Sequence, residues 1–216
     1  HNIPYKIYGG QNFYQRKEIK DILAYLKTID NGLDGQAVKR IINVPKRGIG
    51  NTTIDRLQEY ADFNDITFWE ALVNAKDIDT IKNAALSKLE PFVDLIGRLR
   101  AKEEFMSLKE LAEAVIEDTG YIESLSQNET VEEVEARREN LDEFINKVVS
   151  YEEGCKEAGE EPTLSGLLEE VALIADIDNL DESEPHVMLM TLQRWVFPSP
   201  DSAPTVISST LIKASL

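Results

Sequence analysis

Apolar residues recur three and four positions apart along most of this chain, and no other feature of the sequence constrains its fold as strongly. That spacing places apolar side chains on one face of an α-helix. On the segment 13–29, the opposite face carries Glu18, Lys20 and Asp21. Further runs of the same kind occupy residues 67–73, 78–99, 107–116, 131–149 and 163–173. We therefore predict a mainly α-helical fold built from several helices.

Several residue types mark where the predicted helices begin and end. Thr67 and Ser107 are typical N-cap residues, and Glu110, three positions after Ser107, completes a capping-box pattern. Pro91 interrupts one long apolar run and predicts a helix boundary there. Pro45 is expected to end or kink the helix before it, because proline has no backbone N–H and its ring clashes with the preceding turn.

Both ends of the chain depart from the helical pattern. Residues 3–8 alternate apolar and polar side chains and stop at Gly9-Gly10, which predicts a short strand followed by a turn. Residues 186–192 form a short apolar run, which predicts a second strand. Residues 193–216 contain three Pro, several Ser and Thr and no periodicity, so we expect an irregular tail.

Composition excludes several classes of protein. The lone Cys155 rules out a disulfide framework or a Cys-rich zinc site and is typical of a reducing compartment. His1 and His186 are the only histidines in the sequence, so we expect no histidine-based metal centre or catalytic triad. No run approaches the roughly 18 apolar residues of a membrane span, and the first residues do not follow the pattern of a secretion signal. Because the chain starts at His1 without a methionine, we expect a piece of a longer protein.

The net charge of −17 argues against nucleic acid as a partner until its distribution is considered. Residues 1–60 carry ten Lys or Arg and six Asp or Glu, a net charge of +4, whereas residues 61–216 carry −21. Affinity for phosphate depends mostly on nearby cations. The basic end can therefore bind DNA while the acidic remainder repels DNA from the other faces.

The sharpest local signal lies in this basic end, in the sequence Val44-Pro45-Lys46-Arg47-Gly48-Ile49-Gly50-Asn51-Thr52-Thr53. Its two glycines allow a tight turn and a close approach of a ligand to the backbone. The Asn and the two Thr are expected to cap a new helix, whose first N–H groups and dipole attract an anion beside Lys46 and Arg47. The arrangement resembles a helix-hairpin-helix element, which holds one DNA backbone through loop amides. The alternative is that Gly48 and Gly50 only close a pair of antiparallel helices.

Signatures of catalysis are missing from the sequence. It has neither the Gly-x-x-x-x-Gly-Lys-Ser/Thr pattern of a nucleotide-binding P-loop nor a Gly-x-Ser-x-Gly nucleophile elbow. The acidic runs 132–135 and 157–161 are typical of solvated helix faces or loops rather than of magnesium sites. Trp69 and Tyr60 fit a hydrophobic core better than a base-stacking surface, whereas Phe13 suits either.

Four stretches, residues 8–21, 41–50, 135–144 and 168–173, carry a family resemblance. The first contains Gly-Gly-x-x-Phe-x-x-Arg-x-Glu-Ile-Lys-Asp and the second Ile-Ile-Asn-Val-Pro-Lys-Arg-Gly-Ile-Gly. In this order they resemble the motifs of the PcrA/UvrD/Rep family of superfamily 1 DNA helicases, in particular its PcrA branch. Residues 187–192 also resemble the strand that enters the family motif Thr-x-His-x-x-Lys-Gly-Leu-Glu. The resemblance extends from residue 3 to residue 192.

The resemblance implies a fragment of a larger enzyme that has two RecA-like motor subdomains, 1A and 2A, each with an inserted helical subdomain, 1B and 2B. Residues 1–29 would be the end of the first 2A segment, residues 30–185 the 2B subdomain, and residues 186–192 the strand that returns to 2A. The parent would be an ATP-dependent 3′-to-5′ DNA helicase of the bacterial cytoplasm, associated with the nucleoid. ATP and Mg²⁺ would bind outside this chain, which alone is expected to hold no cofactor or metal and to hydrolyse nothing.

The resemblance also implies a set of contacts. Contact with duplex DNA and with single-strand/double-strand junctions falls on Lys46, Arg47, Gly48, Ile49, Gly50 and Thr52. Arg16 is expected either near single-stranded DNA in the assembled motor or in an ion pair with Glu18 or Asp21. The other implied partners are the motor subdomains 1A, 1B and 2A and proteins that bind 2B, and no membrane is expected.

The end of the chain departs from the family pattern. Gln193-Arg194-Trp195 stands where the family has His followed by Ala-Lys-Gly-Leu-Glu-Phe, so we assign residues 193–216 no helicase role. The main alternative to a DNA-binding function is a protein-interaction or autoinhibitory module, whose acidic helical surface binds partner proteins.

Overall fold

The computed structural model describes residues 13–127 and 129–178, with side chains described up to residue 175. These residues form helices joined by turns, and no strand occurs among them. The α-helices are α1 (Lys17–Asp30), α2 (Gly35–Ile41), α3 (Asn51–Asn64), α4 (Phe68–Val73), α5 (Asn83–Glu103), α6 (Leu108–Asp118), α7 (Tyr121–Leu125), α8 (Val131–Ala158) and α9 (Leu164–Asp178). Short 3₁₀ helices span Phe13–Gln15 and Ala75–Asp77. The prediction of a mainly α-helical fold is confirmed.

Helix α1 lies at the centre of the described part of the chain and contacts α2, α5, α6, α8 and α9. Ten of its fourteen residues are buried, so it is enclosed on nearly every side. The core continues into the surrounding helices through fully buried side chains such as Leu57, Phe92 and Phe144. Because burial of apolar surface is the main driving force of folding, this enclosed helix organises the helices around it.

Two carboxylates on α1 are buried, although the sequence places them on the face opposite the apolar residues. Glu18 is 3% exposed and Asp21 is 2% exposed. Burial of a charge is costly unless the charge is paired and hydrogen-bonded. Each carboxylate has two partners on other helices, which lie far away in the sequence and give no local signal.

Three helices start with a capping box, in which a side-chain oxygen and a carboxylate each accept a hydrogen bond from the other residue's backbone N–H. The pairs are Thr67 with Glu70 before α4, Ser107 with Glu110 before α6, and Thr130 with Glu133 before α8. The predicted caps at Thr67 and Ser107 are confirmed. In each pair the hydrogen bond from the backbone of the cap residue is the main cause that lowers the pKa of the glutamate.

The predicted helix boundary at Pro91 is wrong, because α5 continues through it. A proline inside a helix removes a hydrogen bond and costs about 3 kcal/mol. The buried face of α5 nevertheless runs across it, since Leu89, Phe92 and Ile96 are at most 1% exposed. Full burial of each such side chain stabilises the fold by about 1.5–3 kcal/mol, and together these contributions outweigh the cost of the proline.

Other predictions have mixed outcomes. Trp69 is buried and Tyr60 packs partly against the core, which confirms the predicted packing role of both, and Phe13, for which the sequence left two roles open, is buried as well. The predicted strands at 3–8 and 186–192, and the predicted tail, lie outside the described residues. None of the described helices is long and apolar enough to cross a membrane.

Candidate nucleic-acid interface

The predicted DNA contact falls on the connection between α2 and α3, residues 42–50, which we call the glycine loop. Helix α2 ends at Ile41, four positions before Pro45, so the connection is longer than the sequence predicts. Gly48 has a φ of +71°, a conformation that favours glycine. Gly50 has a φ of −82° and open space where a Cβ would lie. Its missing side chain therefore leaves the backbone accessible and is not needed for the turn.

Arg47 points its guanidinium into the protein, behind the glycine loop. Its Nη1 lies 2.9 Å from the carbonyl oxygen of Ile41 and also donates to the carbonyls of Ile42 and Pro45, at 3.3 and 3.2 Å. The last carbonyls of a helix lack partners within the helix, and Arg47 satisfies them at the end of α2. The sequence suggests that Lys46 and Arg47 both contact a phosphate. In the structure, however, the guanidinium of Arg47 is directed into the protein.

Two core helices enclose the rest of this guanidinium. Nη2 of Arg47 donates to the hydroxyl of Tyr25 on α1 at 2.6 Å, and that hydroxyl donates to the carbonyl of Val44 at 2.6 Å. The ring centroid of Phe92 on α5 lies 4.9 Å from Cζ of Arg47, a cation–π contact. Burial raises the pKa of Tyr25, while the neighbouring Arg47 charge lowers it. The glycine loop is thus anchored to α1 and α5.

Asn43 holds the glycine loop from within. Its Oδ1 accepts hydrogen bonds from the backbone N–H groups of Arg47 and Ile49, at 2.8 and 3.4 Å. Its Nδ2 donates to the carbonyl of Ile49 at 3.1 Å. The side chain of Ile49 is only 5% exposed, so it packs in the core and leaves only its backbone for the loop.

The outer side of the glycine loop is open. Gly50 is the N-cap of α3, and no side chain caps this helix. The prediction that Asn51, Thr52 and Thr53 supply the cap is wrong, because helical backbone begins at Asn51 and places all three inside the first turn. Within the described part of the chain, the N–H groups of Gly48 and of Gly50 to Thr52 have no hydrogen-bond partner. Such N–H groups, together with the positive end of the helix dipole, attract anions.

Cations surround this open side. Lys46 is exposed on the loop itself. Arg56 on α3, Lys82 before α5 and Lys88 on α5 line a cavity together with the loop. Nζ of Lys88 donates to the carbonyl of Gly48 at 2.8 Å, although forty positions separate the two residues. Sequence reasoning missed these three cations, since no periodic or local pattern connects them with the glycines.

Arg16 belongs to a polar network between α1 and α8. Its guanidinium donates to Oδ1 of Asn140 and lies 5.2 Å from the ring centroid of Phe13. Asn140 in turn donates to Glu18 at 2.5 Å. The direct ion pair with Glu18 or Asp21 does not form, because both carboxylates are already paired with arginines from other helices.

Glu18 receives the main charge of that network from Arg137. Its Oε2 accepts from Nη1 of Arg137 at 2.6 Å, and Nε of Arg137 donates to Glu129 at 2.5 Å. The hydrogen bond to Glu129 is the main cause that raises the pKa of Arg137, while burial opposes it. The guanidinium therefore stays charged and links the start of α8 to α1.

Asp21 forms a second set of contacts one turn further along α1. Its Oδ1 accepts from Nε of Arg40 at 2.7 Å and its Oδ2 from the hydroxyl of Tyr121 at 2.8 Å. Burial raises the pKa of Tyr121, and the Asp21 charge raises it further, so the hydroxyl remains a donor. Glu18 and Asp21 and the side chains that bind them form a cluster that we call the core junction. Its other members are Arg40, Tyr121, Arg137 and Asn140.

The described residues do not fit the ATP and Mg²⁺ that the resemblance implies for the parent protein. Among them, no group of three or more His, Cys, Asp or Glu side chains is arranged to hold a metal ion. The sequence has no P-loop pattern. Nucleotide chemistry is therefore not assigned to these residues.

Most of the chain matches one known protein family. The UvrD-like helicase C-terminal domain family matches residues 1–194. This chain belongs to that family. The glycine loop and the core junction are thus both parts of a UvrD-like helicase C-terminal domain.

Two curated UvrD-like relatives have the same description. The ATP-dependent DNA helicase PcrA of Staphylococcus aureus strain Mu50 is 41% identical over 191 residues, and that of Staphylococcus epidermidis strain ATCC 12228 is 40% identical over 191 residues. Each alignment covers 88% of this chain and 26% of the relative. The chain therefore spans about a quarter of the length of these relatives, and the resemblance to the PcrA branch is confirmed.

Proposed function

We propose that this chain is the duplex-binding 2B subdomain of an ATP-dependent 3′-to-5′ DNA helicase, together with short pieces of the 2A motor subdomain. Residues 30–185 form the 2B subdomain in this proposal, and residues 1–29 and 186–192 belong to 2A. The PcrA relatives are ATP-dependent DNA helicases, which supports DNA as the partner. ATP and Mg²⁺ bind to the motor outside this chain, and subdomains 1A, 1B and 2A are its partners within the parent protein.

One observation carries the proposal: the glycine loop has an anchored inner side and an open outer side. Arg47 and Asn43 bind the inner side. The outer side offers the N–H groups of Gly48 and of Gly50 to Thr52 beside the exposed Lys46. Backbone N–H groups and lysine contact DNA phosphates without selecting a base sequence. A helicase that moves through any sequence needs a duplex contact of this kind.

The two sides of the loop have different roles in this proposal. Lys46, Gly48, Gly50 and Thr52 contact phosphate at single-strand/double-strand junctions. Arg47 and the side chain of Ile49 position the loop, because both are directed into the protein. Arg16 stabilises the packing of α1 against α8 through Asn140.

Fluorescence anisotropy tests the proposal, with a labelled duplex that has a 3′ single-stranded tail, titrated with the chain at several salt concentrations. For Lys46→Ala we expect weaker binding and a smaller slope of log affinity against log salt, by about 0.9 for one lost phosphate contact. Lys109→Ala is the matched control, since it removes the same charge from a residue of α6 that is paired with Glu113 at 3.5 Å. It should leave the slope unchanged.

Two results would contradict this function. Equal slopes for the unaltered chain, Lys46→Ala and Lys109→Ala would mean that the glycine loop is not the DNA contact. Failure of the unaltered chain to bind DNA at low salt would favour the alternative function, in which the acidic helical surface binds partner proteins.

A further inference from the structure

A cavity beside the glycine loop is lined by cations and by no carboxylate. It lies between the starts of α3 and α5 and measures about 230 Å³, less than the roughly 300–1,000 Å³ of typical small-molecule sites. The charged residues that line it are Arg56, Lys82 and Lys88. This size and charge suit a phosphate group better than a small organic molecule.

The positive charge is unusual for its surroundings. Residues 61–216 have a net charge of −21. Four larger cavities on the described part of the chain each include at least one Asp or Glu in their lining. Lys82 and Lys88 come from the acidic portion of the sequence, yet folding places both beside the basic glycine loop.

The three cationic side chains differ in the hydrogen bonds that they already make within the protein. Nζ of Lys88 donates to the carbonyl of Gly48, which leaves two of its three N–H bonds for other acceptors. Nη1 of Arg56 donates to the carbonyl of Thr80 at 2.6 Å. The side chain of Lys82 makes no hydrogen bond or ion pair with the described residues. Both lysines are exposed, so a ligand can reach them.

The helix starts at the cavity add to this positive potential. Lys82 is the N-cap of α5, and no side chain caps that helix, as none caps α3. Helices α4, α6 and α8 start instead with capping boxes. Uncapped N–H groups at a helix start favour negative charge nearby.

We propose that this cavity binds a second phosphate of the same duplex backbone, with Lys82 and Lys88 as its cationic ligands. The inference rests on the proposed function and extends the DNA contact from the glycine loop to the start of α5. The loop and α5 then hold the duplex backbone from two sides. Since both contacts are to phosphate, they raise affinity for every sequence alike.

The test is a duplex titration by anisotropy over a series of salt concentrations, with Lys82→Gln, Lys88→Gln and Lys46→Ala. We expect Lys82→Gln and Lys88→Gln each to weaken binding by about three- to tenfold and to reduce the salt slope, by about 0.9 for the two together, because they share one phosphate. Lys88→Arg keeps the charge and should bind like the unaltered chain. Lys109→Gln, which removes an exposed charge elsewhere, should have no effect on the slope. Thermal unfolding of each variant checks that the fold is retained.

The outcomes separate this inference from the function on which it rests. If Lys46→Ala reduces the slope while Lys82→Gln and Lys88→Gln behave like Lys109→Gln, the second phosphate position is overturned and the loop contact stands. If the unaltered chain does not bind the duplex, both are overturned. A loss of binding in Lys88→Arg as large as in Lys88→Gln would also contradict the inference, because charge would not be what matters.

Discussion

The core junction and the glycine loop both use arginine side chains, but the two regions satisfy their polar groups in different ways. In the core junction, the partners of Glu18 and Asp21 are all side chains of neighbouring helices. In the glycine loop, Arg47 binds backbone carbonyls on one side, and the N–H groups on the other side stay open. Both regions coincide with stretches that resemble family motifs. One motif is therefore closed by contacts within the protein, while another in the same domain leaves backbone N–H groups open.

Burial explains the difference. Glu18 and Asp21 are almost fully removed from water, and a buried charge must be matched by partners inside the protein. Lys46 and Gly48 are exposed, so water can satisfy the open groups of the loop until a ligand replaces it. The two carboxylates of the core junction are engaged inside the protein, whereas the N–H groups on the outer side of the glycine loop are open.

The largest expected effect is on the core junction. Arg137→Ala leaves Glu18 buried without its cationic partner, and loss of one member of a buried pair costs about 3 kcal/mol or more in the free energy of unfolding. Arg138→Ala is the matched control, because Arg138 is half-exposed and only 3.7 Å from the exposed Glu135. Its effect should stay within about 0.5 kcal/mol. Urea unfolding measures both, and equal effects would contradict the role of the core junction.

Arg47 gives the next largest effect and separates the two cations of the glycine loop. Arg47→Ala removes the guanidinium donor from carbonyls at the end of α2 and from the Tyr25 hydroxyl, which should lower the free energy of unfolding by about 2 kcal/mol. Arg47→Lys should recover little of this, since lysine lacks the planar fork of donors. Lys46→Ala should change stability by less than about 0.5 kcal/mol. If Lys46→Ala destabilises the fold as much as Arg47→Ala does, the assignment of Arg47 to the anchored inner side and of Lys46 to the open outer side is contradicted.

The smallest effect concerns the helix starts that are closed by capping boxes. The pKa of each capping glutamate is lowered in the folded state, from an ordinary value of 4.5. Their stabilisation is therefore complete above about pH 4.5 and is lost as the pH falls through the lowered pKa of the folded protein. The triple variant Glu70→Gln/Glu110→Gln/Glu133→Gln lacks this titration. The difference in unfolding free energy between the unaltered chain and the triple variant should shrink below pH 4.5. A difference that does not change with pH would contradict the stabilising role of the capping glutamates.

Local sequence patterns predicted the mainly helical fold and the capped helix starts at Thr67 and Ser107. The spacing of apolar residues predicts the helices, and the Ser or Thr three positions before a Glu predicts the caps, because these contacts are made within one turn. The buried state of Glu18 could not be predicted in the same way. Its partner Arg137 lies 119 positions further along the chain, so only the tertiary fold brings the two together.

The glycine loop shows the same limit within a few residues. Lys46 and Arg47 are adjacent and look equivalent in the sequence, yet Lys46 is exposed, whereas Arg47 is half-buried and points into the protein. The direction of Arg47 depends on Tyr25, 22 positions earlier, and on Phe92 of α5. The wrong prediction of a helix boundary at Pro91 has a similar cause. Packing of the neighbouring apolar residues keeps α5 helical there, although proline by itself disfavours a helix interior.

The most direct test of the account is a comparison of amide signals in ¹H–¹⁵N spectra of the chain with and without a duplex that has a 3′ single-stranded tail. The account predicts that the signals of Gly48, Gly50, Asn51 and Thr52 shift on addition of DNA, and that Lys46→Ala weakens these shifts. DNA binding that leaves these four amides unchanged and shifts only signals of α6 to α9 would contradict it.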